Sequence, residues 1–308
     1  MKVAIIGAGN VGSLTAMRLA QEGLDEVLLI DIAKGLAKGK SLDLEDARDI
    51  VKQNYRVTGS DDMSAVKGSD IIVITAGLPR KPGMTREELL SKNASIIKDV
   101  CANIKKYAPS SIVIVVTNPL DLMTRYALDV LKFSPERVFG MGISLDAARF
   151  ANLISAELKV SPVDIDACVI GSHGEGMLPL SRFTNIKGVC LEEFIGAEKI
   201  SELVKRTVNR GAEIVSLLGS GSAFFAPSAA IAAMVKFIAK DEKRTIGASV
   251  YAKGEYGLNG VCIGLPCRLG RKGIEEIIEL ELNKEEKKAL LEAAERLKEQ
   301  YKTLSVQK

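Results

Sequence analysis

The sequence has little of the chemistry that aromatic, histidine and cysteine side chains provide. Its 308 residues contain no tryptophan, one histidine and 5% aromatic residues, so stacking platforms for single-stranded nucleic acids are not expected. The five cysteines are odd in number and lack paired spacing, which argues against a disulfide framework and favours buried thiols in a reducing compartment. Because only one histidine could join a thiolate cluster, we expect no metal site.

The sequence also lacks a strong charge of one sign and a long hydrophobic run. Its 42 Lys and Arg residues are interspersed with 39 Asp and Glu residues, and the net charge of +3 argues against a nucleic-acid partner. The longest weakly polar stretch, residues 223–235, contains Pro227 and Ser228 and is short for a membrane span. No signal-peptide pattern begins the chain, so we expect a cytoplasmic protein without a membrane partner.

Short runs of valine and isoleucine alternate with amphipathic segments in the first half of the chain. Such runs are typical of strands buried on both faces of a parallel sheet, and the alternation predicts right-handed βαβ units. The predicted strands are 3–6, 27–30, 71–75 and 112–116, with a weaker one at 55–58, and the predicted helices are 11–22, 86–107 and 122–132. We therefore predict an α/β fold with an N-terminal, doubly wound parallel sheet of the Rossmann type in residues 1–142.

The pattern changes after residue 142, where helices and strands no longer alternate regularly. Helices are predicted at 144–158, 198–218, 228–239 and 284–302, and strands near 166–170, 245–251, 261–265 and 273–279. This mixture indicates a C-terminal α+β domain in residues 143–308. Since no linker rich in Pro, Gly or Ser separates the halves, we expect them to pack closely.

A glycine-rich hexapeptide, Gly7-Ala8-Gly9-Asn10-Val11-Gly12, follows the first predicted strand and opens a helix. In this context the three glycines permit a tight turn, close approach of the backbone to a pyrophosphate, and close packing of helix on strand. Asp31 ends the second strand, where a carboxylate accepts hydrogen bonds from a ribose and repels a 2′-phosphate, so NAD is expected rather than NADP. The alternative for Asp31 is a solvated carboxylate at a strand end.

Residues 35–41 resemble a phosphate-binding P-loop, but they have three residues between the glycines where that motif has four. We interpret them as a polar loop that enters a helix around residues 41–48.

Three cations lie on the loop after the fourth predicted strand. Arg80, Lys81 and Arg86 stand among glycines and prolines at a carboxyl end of the sheet, where doubly wound folds bind ligands. Arginine grips a carboxylate with two parallel hydrogen bonds, so an anionic substrate is indicated; the alternative is a solvated basic loop. Asn118 follows the fifth strand at the same edge and is either a ligand for the nicotinamide ribose or substrate, or a turn residue before a proline.

The single histidine, His173, is the only imidazole that could exchange a proton near neutral pH. Asp146 and Arg149 lie one turn apart on a predicted helix and either form an ion pair or act separately. In the second case Arg149 holds a substrate carboxylate while Asp146 turns to His173 and fixes its tautomer.

Taken together, these motifs resemble the family of NAD-dependent 2-hydroxyacid dehydrogenases that includes lactate and malate dehydrogenases. The resemblance spans essentially the whole chain and rests on the glycine loop, Asp31, residues 80–86, Thr117-Asn118-Pro119, residues 145–149 and residues 171–175. It implies that His173 is the proton donor and acceptor, Asp146 its partner, and Arg149 the ligand of the substrate's C1 carboxylate.

The resemblance also implies that Arg86 polarises the substrate carbonyl and that Arg80 reads the group on the far side of that carbonyl. Lactate enzymes typically have Gln at this second position and malate enzymes Arg. A buried Arg80 would be left unpaired by pyruvate but neutralised by the second carboxylate of oxaloacetate, so a dicarboxylate substrate is expected.

The positions at which contact with NAD is expected are Gly7, Gly9, Asn10, Val11, Gly12, Asp31, Thr75, Ala76, Gly77, Asn93, Thr117 and Asn118. A homo-oligomer, tetramer or dimer, is also expected from the family. The alternatives are a lactate or other 2-hydroxyacid dehydrogenase, a non-enzymatic NAD-binding sensor, and an NAD-dependent glycosidase. The last usually needs a metal held by Cys and His, and no Cys lies close to His173 in the sequence.

Overall fold

Apolar, β-branched segments form the strands of a parallel sheet in the first half of the chain. The computed structural model describes residues 1–24, 26–79 and 85–306, without the side chains of residues 86, 305 and 306. The strands are β1 (Lys2–Ile6), β2 (Glu26–Ile30), β3 (Val57–Ser60), β4 (Ile71–Ile74), β5 (Ile112–Val115) and β6 (Val138–Gly140). The helices among them are α1 (Asn10–Gln21), α2 (Leu36–Val51), α3 (Arg86–Tyr107) and α4 (Leu120–Leu131).

These six strands are parallel and stand in the order β3-β2-β1-β4-β5-β6. That order is the doubly wound arrangement, in which the chain reverses direction across the sheet between β1 and β4. The α/β fold predicted from the sequence is therefore confirmed. The reversal creates a crevice at the carboxyl ends of β1 and β4, directly beside the glycine loop.

The second half of the chain extends the same sheet with antiparallel strands. Its helices are α5 (Ile143–Leu158), α6 (Ala197–Leu218), α7 (Phe225–Ala239) and α8 (Lys284–Val306). Its strands are β7 (Ile165–Asp166), β8 (Val169–Gly171), β9 (Met177–Pro179), β10 (Asn185–Ile186), β11 (Val189–Cys190), β12 (Arg244–Lys253), β13 (Asn259–Gly270) and β14 (Gly273–Ile277). β12 pairs with β6, β13 with β12 and β8 with β13, so one sheet runs through both halves. A separate small sheet has the order β11-β10-β7.

Several predicted boundaries differ from the structure. α2 begins at Leu36, so the segment interpreted as a polar loop is helical after Gly35, whose φ of 77° is the left-handed conformation that glycine adopts readily. The strand predicted at 166–170 is two strands, β7 and β8, which belong to different sheets. β6 was not predicted, because three residues are too few to show a periodic pattern.

The apolar core follows the sheet. The strands β1, β2, β4 and β5 are buried along nearly their whole length, as expected for strands covered by helices on both faces. A second buried cluster packs α5 against α6 and the small sheet, and includes Phe150 and Leu203. Among the described residues, no helix has the length and apolar character needed to cross a membrane.

Candidate active site

The glycine loop between β1 and α1 has the conformation that its sequence predicts. Gly7 has a φ of 109°, which disfavours other residues. A Cβ on Gly12 would stand 1.9 Å from the carbonyl oxygen of Gly7, so helix and strand pack too closely for a side chain. A Cβ on Gly9 would have no heavy atom within 4 Å, which leaves open space above the loop.

The start of α1 faces this open space. Gly9 is the N-cap residue, and no side chain caps the helix. The first N–H groups of a helix have no partner within it and carry a partial positive charge, so they suit a pyrophosphate. Space at Gly9 and an uncapped helix start together fit the diphosphate of a dinucleotide.

Asp31 is fixed beside the loop rather than solvated at a strand end. Its Oδ2 accepts a hydrogen bond from Ala8 N at 2.7 Å, and its Oδ1 accepts one from Ala33 N at 2.9 Å. Lys40 Nζ, a residue that the sequence analysis missed, donates to the carbonyl oxygen of Ala8 at 2.7 Å. A carboxylate has about four acceptor positions, so Asp31 retains capacity for ribose hydroxyls.

Alanine variants of Gly12 and Gly9 are expected to affect different properties, the first the stability of the fold and the second the binding of NAD. Gly12→Ala forces α1 away from β1 and is expected to lower the free energy of unfolding by at least about 1–3 kcal/mol. Gly9→Ala meets no atom of the chain and should leave the melting temperature unchanged, but raise the Kd for NAD about tenfold or more. Thermal melts and calorimetric titration with NAD measure the two effects. Tight NAD binding by Gly9→Ala would contradict a pyrophosphate at this loop.

The loops after β4 and β5 meet at the crevice and are held by their own side chains. Thr75 Oγ1 donates to the carbonyl oxygen of Gly7 at 2.9 Å, and Thr117 Oγ1 donates to that of Ala76 at 2.6 Å. A Cβ on Gly77 would stand 2.5 Å from Thr117 Cγ2, so glycine is needed there. These contacts bring Thr75, Ala76, Gly77 and Thr117 to the edge where the cofactor is expected.

Asn93 is a buried link between these two loops. Its Oδ1 accepts from Leu78 N at 2.8 Å, while its Nδ2 donates to the carbonyl oxygens of Leu78 and Asn118. Both amide hydrogens are thus used within the chain, and a contact of Asn93 with NAD stays a prediction. The Asn118 side chain is exposed, as a ligand for substrate or ribose must be.

Asp146 joins His173 and Arg149 near the start of α5, which follows β6. Asp146 on α5 is fully buried; its Oδ2 lies 2.7 Å from His173 Nδ1 and its Oδ1 lies 3.1 Å from Arg149 Nη1. The sequence left open whether Asp146 pairs with Arg149 or with His173, and in the structure one carboxylate does both. The side chains of His173 and Arg149 are 17% and 12% exposed, so they can meet a small ligand while largely screened from water.

The surroundings of His173 favour the charged imidazolium. Burial lowers the pKa of His173, but the Asp146 carboxylate raises it through its charge and its hydrogen bond, and Asp121 adds to the increase. Arg149 acts in the opposite direction, and the net result is a raised pKa. With Nδ1 engaged by Asp146, Nε2 is the nitrogen left to exchange a proton with a substrate.

A second carboxylate behind His173 was missed by the sequence analysis. Asp121 on α4 is 3% exposed; its Oδ2 accepts from His173 N at 2.9 Å, and its Oδ1 accepts from Ser249 Oγ at 2.6 Å. The only sequence signal is an acidic residue inside the apolar run that begins α4. Ser249 on β12 gives no signal, because its contact spans 128 residues.

The remaining predicted residues are Arg80, Lys81 and Arg86. Arg80 and Lys81 lie outside the described residues, and so does the side chain of Arg86, the first residue of α3. Their predicted roles stay predictions.

A doubly wound sheet with this glycine loop, together with an imidazole held by a buried carboxylate beside a guanidinium, defines a dinucleotide-dependent oxidoreductase. Residues 1–140 match the family model for the lactate/malate dehydrogenase NAD binding domain, and residues 143–306 match that for the lactate/malate dehydrogenase alpha/beta C-terminal domain. The chain therefore belongs to the lactate/malate dehydrogenase family, and its cofactor is NAD.

Relatives align with the chain from end to end. A malate dehydrogenase of Methanosarcina mazei is 48% identical over 306 residues, which are 99% of this chain and 100% of that protein. The crystal structure of Cryptosporidium parvum malate dehydrogenase is similar with a TM-score of 0.96 and 38% identity over 99% of each chain. The structure of Eimeria maxima lactate dehydrogenase with NADH and oxamate gives a TM-score of 0.95 and 37% identity, covering 99% of this chain and 94% of that one.

Proposed function

We propose that the chain is an NAD-dependent malate dehydrogenase that interconverts (S)-malate and oxaloacetate. The observation that carries the proposal is the buried Asp146, which holds His173 at one oxygen and Arg149 at the other. A proton donor and a carboxylate-binding cation are thereby fixed side by side, as a 2-hydroxyacid requires. Full-length relatives named malate dehydrogenase support the same activity.

The residues divide the work between holding the substrate and moving a proton. Arg149 binds the C1 carboxylate, and His173 Nε2 exchanges a proton with the oxygen on C2. The glycine loop and Asp31 would hold the cofactor, which as NAD⁺ would accept the hydride from C2 of malate and as NADH would supply it to C2 of oxaloacetate. Asn118 contacts substrate and cofactor, Arg86 polarises the C2 carbonyl, and Arg80 pairs with the second carboxylate.

The protonation state of His173 sets the direction that is favoured at a given pH. Oxaloacetate reduction needs the imidazolium, whereas malate oxidation needs the neutral ring. Because Asp146 and Asp121 hold the pKa of His173 above its ordinary value despite burial, reduction extends to higher pH than a free imidazole would allow. The two directions must have opposite pH trends.

The experiment for substrate identity follows NADH absorbance with oxaloacetate and with pyruvate in parallel, for the wild type, Arg80→Gln and Lys81→Gln. The wild type should prefer oxaloacetate, and NADPH should be a poor substitute because of Asp31. Arg80→Gln should shift the ratio of kcat/KM values toward pyruvate by about 10²-fold or more, since a buried charge is no longer left unpaired.

Lys81→Gln is the matched control, because it removes the same charge from the neighbouring position and should leave the preference intact. A wild-type preference for pyruvate would make the chain a lactate-type enzyme. No turnover of either substrate, with NAD bound, would support an NAD-binding sensor.

We also propose a division of labour between the halves. Residues 1–142 bind NAD and residues 143–308 carry His173, Asp146 and Arg149. The enzyme is proposed to be cytoplasmic and to serve the tricarboxylic acid cycle. The five cysteines support a reducing compartment, because all are unpaired and none is exposed.

We further propose a homo-oligomer, with a tetramer preferred over a dimer. On α2, Leu42 and Ile50 are 56% and 82% exposed, and large apolar residues exposed on one helix are typical of interfaces. A cavity of about 590 Å³ lined by Ala147, Ala148 and Ala151 of α5 offers a second apolar surface. Light scattering after gel filtration measures the assembly, and a monomer would contradict it.

A further inference from the structure

Asp121 is a buried carboxylate that the proposed reaction does not use. It links Ser249 on β12 to the main chain of His173, with hydrogen bonds of 2.6 Å and 2.9 Å. Ser249 is fully buried and Asp121 nearly so. The contact to His173 joins residues 52 positions apart, and the contact to Ser249 joins residues 128 positions apart.

Keeping the carboxylate of Asp121 ionised in the protein interior costs free energy. Burial raises the pKa of Asp121 to about 6, against the lowering effects of the Ser249 hydrogen bond and of His173. In the part of the chain that the structure describes, Asp121 forms no ion pair with a Lys, Arg or His side chain within 4.0 Å. An acid with a raised pKa in the folded state destabilises the fold at pH values above that pKa, so stability alone does not explain the residue.

The groups that face Asp121 come from several elements. His173 follows β8, Asp146 lies on α5, Ser249 on β12 and Cys262 on β13.

Arg125, one turn along α4, borders the same small cavity, but its guanidinium donates to Asp129 and to the carbonyl oxygen of Gly260. Among these groups, the imidazole of His173 is the one whose cationic form the charge of Asp121 favours.

We propose that Asp121 is a positioning residue that acts through His173 in two ways: its hydrogen bond holds the main chain of the histidine while Asp146 holds the ring, and its negative charge favours the imidazolium. Helix α4 thereby holds the main chain of His173 through Asp121, and helix α5 holds its imidazole ring through Asp146. The inference rests on the proposed role of His173 as acid and base. The ionised carboxylate also favours the imidazolium, which assists reduction.

Asp121→Asn separates the charge of this residue from its hydrogen bonds. The amide oxygen can still accept from His173 N, and the amide nitrogen can donate to the Ser249 hydroxyl, which rotates to accept. The volume and both contacts are kept, and only the negative charge is lost.

The single histidine makes the test direct. NMR titration of the holoenzyme and of the free protein follows the one imidazole signal without overlap. In Asp121→Asn the pKa of His173 should move to lower pH. Oxaloacetate reduction above neutral pH should fall about tenfold, while malate oxidation should extend to lower pH. The melting temperature at neutral pH should not fall, since an unfavourable buried charge has been removed.

Asp129→Asn is the matched control, because it removes a carboxylate from the same helix, where Asp129 pairs with Arg125 and Tyr301. It should leave the titration of His173 unchanged. An unchanged titration in Asp121→Asn, together with a lower melting temperature, would show a merely structural carboxylate and overturn the proposal.

A second variant, Ser249→Ala, tests the proposal if Asp121→Asn folds poorly. Ser249→Ala removes the hydroxyl that donates to Asp121, so the pKa of Asp121 should rise and less of its negative charge should remain. The pKa of His173 should then fall, as it does in Asp121→Asn. An unchanged pKa of His173 in a folded Ser249→Ala variant would overturn the proposal. The NMR titration does not depend on the substrate. If the wild type failed to reduce oxaloacetate but Asp121→Asn still shifted the His173 titration, the proposed function would fail while the effect of the Asp121 charge on His173 stood.

Discussion

Replacing His173 by Asn lowers kcat about 10³-fold or more in both directions of the reaction. General acid–base catalysis contributes about 10²–10⁴-fold, and the chain has no second imidazole to replace it. The thiols of Cys168 and Cys101 are poor substitutes, because burial raises their pKa values to about 11 and about 12. Asn keeps a donor for Asp146, so the local fold should survive. Steady-state kinetics with malate and with oxaloacetate measure the loss.

The binding of NAD is the internal control for this variant. The glycine loop connects β1 to α1 and Asp31 directly follows β2. Because His173 lies on a different segment, the Kd for NAD and the melting temperature should stay near the wild-type values. Residual activity within tenfold of the wild type, with the remaining pH dependence unchanged, would remove His173 from the mechanism.

Replacing Asp146 by Asn lowers the rate of malate oxidation about 10³-fold through the tautomer of His173. Arg149 only donates, so the amide oxygen must face it, and the amide nitrogen then donates to His173 Nδ1. The neutral ring is forced to carry its proton on Nε2, where it cannot accept one from malate. A comparable Asp→Asn change beside a catalytic histidine in serine proteases costs about 10⁴-fold.

The same variant should also titrate differently. The charge and hydrogen bond of Asp146 raise the pKa of His173, so their removal moves the imidazole titration to lower pH. Asp164→Asn, at a surface pair with Lys187, changes a half-exposed carboxylate and should leave rate and titration unchanged. Normal malate oxidation by a folded Asp146→Asn variant would contradict the arrangement.

The fold was predictable where the sequence has a local period. Continuous Val and Ile runs identified β1, β2, β4 and β5, because strands covered on both faces need no polar alternation. The predicted start of α2 was wrong, because glycines at positions 35 and 39 are typical of loops, yet Gly39 is tolerated in a helix that packs on β3. The joining of β12 to β6 was not predictable, because it depends on a pairing of Ser249 with Gly140 far apart in the chain.

The site was predictable where a residue type is rare or a motif is fixed. His173 was identified because it is the only histidine in the sequence. Gly7 and Gly12 were identified because they belong to a glycine motif that comes directly after a predicted strand. Asp121 and Ser249 did not, because their function depends on contacts that only the tertiary structure creates. The double use of Asp146 was likewise invisible, since spacing on a helix shows which residues share a face but not which partner approaches from elsewhere.

The imidazole of His173 is expected to carry the proton in both directions of the reaction. The most direct measurement compares the pKa of His173, from NMR titration of the free protein, with the pKa values in the pH profiles of kcat/KM for malate oxidation and oxaloacetate reduction. We expect one shared pKa, with oxidation rising and reduction falling as the pH increases through it. Two profiles with the same trend, or a kinetic pKa that does not follow the NMR titration, would contradict it.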